Sequence, residues 1–201
     1  VTLISNTCNA DPNFRFLKKA FDVHEHYEDG MISDLVKKQS DKGEKKDMNT
    51  MALFLDDILS TKFRRNNEIS FLATKFRHFN ILLYGIFVQN FKSCDNIIRN
   101  NATDVIIFKQ TNFKQLDMIA EEFHASYGDK KTFYQMYKIA TEGKYNFLYL
   151  KIQEGKALRN FETVIYEDDK FVVDENVDIS DIESNNDDIN KKEDISTEKP
   201  L

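Results

Sequence analysis

Two carboxylates stand side by side at the end of an apolar run, in the segment NTMALFLDD at residues 49–57, and a second apolar run, ILLYGIFV at residues 81–88, ends at Gln89. An apolar strand closed by an acidic pair is the Walker B arrangement. The first carboxylate, Asp56, would hold the hydration shell of Mg²⁺, and the second, Asp57, would orient or deprotonate an attacking water. A glutamine closing the neighbouring strand can sense the terminal phosphate of a nucleotide. Each piece also has an ordinary explanation, because Asp is a good turn residue and helix N-cap and every strand must stop somewhere. Their joint occurrence, with a helix between them, is what points to chemistry.

The elements that must position these residues follow from the hydrophobic pattern. Both runs are continuously apolar rather than alternating, so both read as central strands covered on two faces. Between them Ile69, Phe71, Leu72 and Phe76 mark a helix, and a third apolar strand at residues 105–108 follows a short helix around Ile97 and Ile98. Strand, helix, strand, helix, strand implies right-handed parallel crossovers and a three-layer α/β sandwich with a mostly parallel central sheet. In such sheets ligands bind beyond the carboxyl ends of the strands, where Asp56, Asp57 and Gln89 belong. Upstream, residues 1–5 read as a buried strand, Asp11 and Pro12 as helix-opening residues, and Phe14, Phe16, Leu17 and Phe21 as a helix. Residues 22–27 form a short connecting segment, 31–38 an amphipathic helix, and 39–48 a charged loop. Downstream, Phe113, Leu116, Ile119, Ala120 and Phe123 share one helical face, and Phe133, Met136, Tyr137 and Ala140 another. These stripes fit a core better than base-stacking platforms. Residues 147–150 read as a strand, and 161–166 with 171–173 as a terminal hairpin around EDDK.

The chain has 201 residues, enough for one substantial core, and 41% hydrophobic residues with 17 Phe and 8 Tyr exclude a fully disordered protein. No apolar run approaches the roughly 20 residues of a membrane helix. The formal net charge of -6 is unevenly placed: residues 174–201 carry a net of -7 and the rest +1. That acidic tail has no aromatic residue and reads as disordered. Cys8 and Cys94 form no CxxC pair, which suggests neither a disulfide framework nor a zinc site. His24 and His26 would share a strand face but lack a third metal ligand. Lys62, Arg64, Arg65 and Lys75 are compatible with phosphate contacts on DNA or with a solvated face. No GxxxxGK[ST] occurs, and the Gly-Lys pairs at 143–144 and 155–156 lack the upstream Gly. The opening VTLIS has neither an initiator Met nor the pattern of a signal peptide, so a fragment or an incomplete gene model is expected.

The ordered series FLDD, TKFRHFNI, LLYGIFVQN and IIRNNATDVIIFK resembles the carboxyl-terminal half of the poxvirus-type genome-packaging ATPases of large DNA viruses and virophages, within the FtsK/HerA superfamily. The resemblance covers residues 1–166. It implies a P-loop NTPase-like fold of the additional-strand type, incomplete at its amino end, with a partial ATPase domain over residues 1–173 and the acidic tail over 174–201. By matched position it implies that Asp56 coordinates Mg²⁺ through water, Asp57 is the catalytic acid, Gln89 the sensor, and Arg77 an arginine finger offered to a neighbouring subunit. Lys75 and Phe76 depart from the family's Arg-Gly-Arg-His run, leaving Arg77 as the finger candidate there; Arg99 matches an Arg of unassigned role. The implied cofactors are ATP and Mg²⁺, and the implied partners are double-stranded DNA, a homo-oligomeric ring and capsid proteins, with no membrane. The implied location is the host cytoplasm or viral factory, or the virion. The missing phosphate loop leads to the expectation that these residues alone do not bind ATP well. It also keeps open a non-catalytic interaction protein that retained the fold. A third reading, a cellular α/β domain with chance motifs, requires Asp57 and Gln89 to lie apart.

Overall fold

The computed structural model describes residues 1–10, 12, 14–58 and 66–173. Asp11, the basic residues Lys62, Arg64 and Arg65, and the acidic tail lie outside the described residues. Two compact units result, one from Val1–Ala102 and the other from Thr103 onward, each with its own sheet.

The first unit begins with β1 (Thr2–Ser5), α1 (Phe14–Ala20), β2 (Asp22–His24), α2 (Met31–Ser40) and β3 (Met51–Asp56). It continues with α3 (Asn67–Lys75), a single 3-10 turn at Phe76–Phe79, β4 (Ile81–Phe87) and the short α4 (Asn96–Asn100). The strands lie in the order β2-β1-β3-β4, all parallel. β1 and β3 are interior, as their apolar runs require. The residues 81–88, expected as a central strand, instead form the edge strand β4 among the described residues. Leu82, Leu83 and Phe87 are 69%, 52% and 48% exposed there. An apolar run records that a strand favours burial, and the topology alone decides which strand stands outermost. The expected connecting segment at 22–27 holds β2 at the other edge.

The core of this unit sits on one face of the sheet, where Ile4, Leu53, Leu55 and Ile81 meet Ile32 of α2 and Ile69 and Leu72 of α3. Alternation along β3 then sends Phe54 and Asp56 to the opposite face. Two polar ties fix the helices of this unit, one to the loops entering the sheet and one to each other. Gln39, 2% exposed, donates from Nε2 to the carbonyls of Asn49 at 2.6 Å and Phe79 at 3.0 Å, joining the loops that lead into β3 and β4. Glu68 in the first turn of α3 accepts from the Tyr27 hydroxyl at 2.8 Å, the Gly30 N–H at 3.1 Å and the Ser33 hydroxyl. Asn66 caps the same helix by accepting from the Glu68 and Ile69 N–H groups.

The second unit is an antiparallel meander with two helices. Its strands β5 (Asp104–Phe108), β6 (Phe147–Lys151), β7 (Lys156–Arg159), β8 (Thr163–Glu167) and β9 (Lys170–Phe171) pair in chain order. The expected third parallel strand at 105–108 is therefore not a neighbour of β4: β5 runs antiparallel to β6, with Ile106 opposite Tyr149. An apolar strand pattern carries no direction, so periodicity could not distinguish the two pairings. The stripes of α5 (Phe113–Phe123) and α6 (Lys130–Ala140) are core: Leu116, Ile119, Phe133 and Met136 are buried, as are Leu148 and Leu150 of β6. The terminal hairpin forms as β8 and β9. No helix among the described residues is long and apolar enough to cross a membrane.

Burial pushes the Glu68 carboxyl upward, but its hydrogen bonds from Ser33, Tyr27 and the Gly30 and Ile32 N–H groups outweigh this and hold it below the ordinary 4.5. A carboxyl that titrates lower when folded stabilises the fold fully above its unfolded pKa, and the contribution disappears as pH falls through the folded value. Glu68→Gln is expected to flatten the stability–pH curve below about pH 4.5, read by urea unfolding across pH 3–7. An unchanged slope would remove Glu68 from the acid response.

Candidate functional site

Parallel strands present their carboxyl ends at one rim, and the register places Ser5, Asp56 and Phe87 side by side there. The backbone turns away from the sheet directly afterwards. Asp57 has φ of 53°, in the left-handed region that Asp and Asn enter more readily than other L-residues. Its N–H still donates to the Phe87 carbonyl at 3.2 Å, and its own carbonyl accepts from the Asn6 side-chain amide at 3.2 Å. The turn carries the Asp57 carboxylate toward the strand on its other side. There Gln89, two residues beyond β4, donates from Nε2 to Asp57 Oδ2 at 2.8 Å. Asp57 and Gln89 therefore meet on one rim rather than lying apart.

The Asp56 carboxylate is held from the opposite side. Ser5 Oγ donates to its Oδ2 at 2.6 Å and Thr7 Oγ1 to the same oxygen at 3.2 Å. The sequence pattern assigns no role to either hydroxyl: Ser5 reads only as the end of a strand, and Thr7 falls between that strand and the helix-opening residues. The available signal was that β1 and β3 are each apolar strands ending in a polar residue, so their termini would lie together if they paired.

The rim thus joins two acceptor-only carboxylates, a primary amide and two hydroxyls. The Asp57–Gln89 hydrogen bond involves an exposed Gln89 and adds little to stability; its weight is geometric. No group of three His, Cys, Asp or Glu is placed to hold a metal directly among the described residues. Two hard carboxylates without a cage suit a hydrated Mg²⁺ held through its waters together with substrate phosphate oxygens, so the donor set fits that ion. His24 instead contacts Asp22 at 3.2 Å, with no third ligand grouped with it.

Arg77 is not brought to this rim. It lies in the 3-10 turn before β4, exposed, with its guanidinium carbon 4.9 Å from the centroid of the Phe76 ring. Residues that precede a parallel strand stand at its amino end, and the seven residues of β4 separate the two ends by about 20 Å. Lys75 stacks over Phe71 at 5.0 Å. Arg99 lies in α4 over the ring of Phe91 at 4.9 Å and donates to the Asn96 side chain.

Two solved structures resemble this chain. One is the genome-packaging NTPase B204 from Sulfolobus turreted icosahedral virus 2 in complex with AMP, with 16% identity and a TM-score of 0.54 over 79% of this chain and 80% of that one. The other is B204, the DNA-packaging ATPase from Sulfolobus turreted icosahedral virus, with 15% identity and a TM-score of 0.51 over the same shares, 79% and 80%. At these identities the likeness establishes the fold, which is mixed α/β and P-loop NTPase-like. No protein-family model matches the sequence. No curated protein matches it either.

The left-handed turn gives a direct test of the rim. Asp57→Asn, which tolerates that conformation, is expected to hold stability within about 0.5 kcal/mol. Asp57→Val is expected to lose about 1–3 kcal/mol, because a β-branched residue is strained there. Equal urea midpoints for the two variants would show that position 57 does not adopt this backbone.

Proposed function

We propose that this chain belongs to an ATP-hydrolysing motor that moves double-stranded DNA into a viral capsid, acting as a ring of identical subunits. The single observation that carries the proposal is the meeting of Asp57 and Gln89 at 2.8 Å, beside Asp56, on the carboxyl rim of the parallel sheet. The fold shared with viral packaging NTPases, one of them bound to AMP, supports it. Asp56 would hold Mg²⁺ through its waters, and Mg²⁺ when bound would neutralise charge developing on the phosphates. Asp57 orients the attacking water and accepts its proton at a carboxylate oxygen. Gln89, bonded to that same carboxylate, links the state of the terminal phosphate to the end of β4. Arg77 stands at the far end of its own strand, so in this reading it serves a neighbouring subunit's nucleotide. Lys75 and the basic residues at 62, 64 and 65 would meet DNA phosphates.

These 201 residues contain no GxxxxGK[ST], whose backbone N–H groups, lysine and hydroxyl would cradle the phosphates. That observation favours a second reading, a non-catalytic protein that keeps the fold for interaction. Calorimetry with Mg²⁺–ATP on this chain is expected to show affinity no tighter than millimolar. In a polypeptide that joins this chain to a strand followed by GxxxxGK[ST], turnover is expected, and Asp57→Asn should abolish it with nucleotide still bound. Arg77→Ala should lower it about 10³- to 10⁵-fold, the range for an arginine finger. Wild-type turnover in Asp57→Asn would reassign the base, wild-type turnover in Arg77→Ala would remove Arg77 from the mechanism, and no turnover in the joined wild-type polypeptide would defeat the motor reading.

A further inference from the structure

The residues that follow β1 do more than close a loop. Ser5 is the last residue of that strand and is fully buried, at 0% exposure. A buried hydroxyl needs a partner, and its donor goes to Asp56 Oδ2 at 2.6 Å. Its oxygen also receives the Thr7 N–H at 3.3 Å. The turn beyond it is pinned by the Cys8 N–H on the Ser5 carbonyl at 3.4 Å and the Ala10 N–H on the Thr7 carbonyl at 2.9 Å, with the Cys8 side chain buried beneath. This turn returns Thr7 over the strand end, where its hydroxyl lies 3.1 Å from Ser5 Oγ and donates to Asp56 Oδ2 at 3.2 Å. Both donors therefore occupy one oxygen of the carboxylate. The other oxygen, Oδ1, takes no hydrogen bond among the described residues.

We infer that Ser5 and Thr7 are positioning residues for Asp56: by occupying Oδ2 they lock the rotation of the carboxylate and leave Oδ1 as its ligand-facing oxygen. The inference rests on the proposed role of Asp56 as the metal-side carboxylate. The Ser5 contact at 2.6 Å is a short, charge-assisted hydrogen bond, and the longer Thr7 contact at 3.2 Å adds a second direction on the same oxygen, so that the two together define its orientation. Outer partners of this kind orient a ligand without touching the ion, and their loss characteristically lowers metal affinity 10- to 100-fold. Asn6, between them, ties the Asp57 carbonyl, so one tripeptide holds both acidic residues.

The test uses Mn²⁺ as a paramagnetic probe on the isotope-labelled chain, reading the broadening of the Asp57, Ile58 and Gln89 amide resonances as Mn²⁺ is added. Asp56→Asn should abolish the broadening. Thr7→Val, which removes the hydroxyl and keeps the shape, should raise the Mn²⁺ concentration for half-broadening about 10-fold, and Ser5→Ala by a similar factor. Thr7→Ser, which keeps the hydroxyl, should titrate as the wild type. If Ser5→Ala fails to fold, judged from amide dispersion, the Thr7 pair decides. Should Thr7→Val titrate like the wild type while Asp56→Asn does not, the positioning role is overturned and the metal reading of Asp56 stands. Should the wild type show no broadening, or Asp56→Asn broaden as it does, the metal reading falls and the inference with it.

Discussion

The parallel register of β1, β3 and β4 is the constraint on which the rest depends. Because Ser5, Asp56 and Phe87 are aligned across three strands, whatever terminates those strands must gather on one rim. The hydroxyls after β1, the acidic pair after β3 and the amide after β4 have no choice but to be neighbours. The same rule sends Arg77, which precedes β4, to the opposite end. One geometric fact thus explains both the convergence of the carboxylates with Gln89 and the exclusion of the arginine.

Stability and chemistry are spatially divided within the first unit. On one face of β3, Leu53 and Leu55 pack with Ile32, Ile69 and Leu72 at essentially zero exposure. Gln39 ties the loops entering the sheet, and Glu68 gathers donors from the chain entering α2. The Gln39 tie lies at the amino ends of β3 and β4, and the Glu68 tie joins the starts of α2 and α3. The rim is left with polar groups whose mutual hydrogen bonds are partly exposed, and with the left-handed Asp57. A conformation of that kind costs energy unless the surrounding structure over-determines it, as the Phe87 carbonyl and the Asn6 amide do here.

The second unit shows how little an edge records of its own surroundings. Its meander buries Leu148, Leu150 and Ile165 while Ile106, Phe108 and Phe161 remain exposed on the strands and turns. β5 and β4 are both apolar strands at the edge of a sheet, yet one belongs to an antiparallel and the other to a parallel array. Edge strands usually carry charges or prolines that discourage pairing, and β4, reading ILLYGIF, carries neither.

The amino-acid sequence by itself determined the elements: the helices with apolar faces, the buried strands at 1–5 and 49–55, and the order in which Asp56, Asp57 and Gln89 end two of them. These are local properties, since periodicity and turn chemistry are written within ten or so residues. Only the tertiary structure decided that β4 is an edge among the described residues, that β5 joins an antiparallel sheet, that residues 22–24 pair with β1, and that Ser5 and Thr7 share an oxygen of Asp56. Pairing partner, direction and contacts between residues some fifty positions apart depend on how the whole chain closes around its cores, and no window of sequence contains that information.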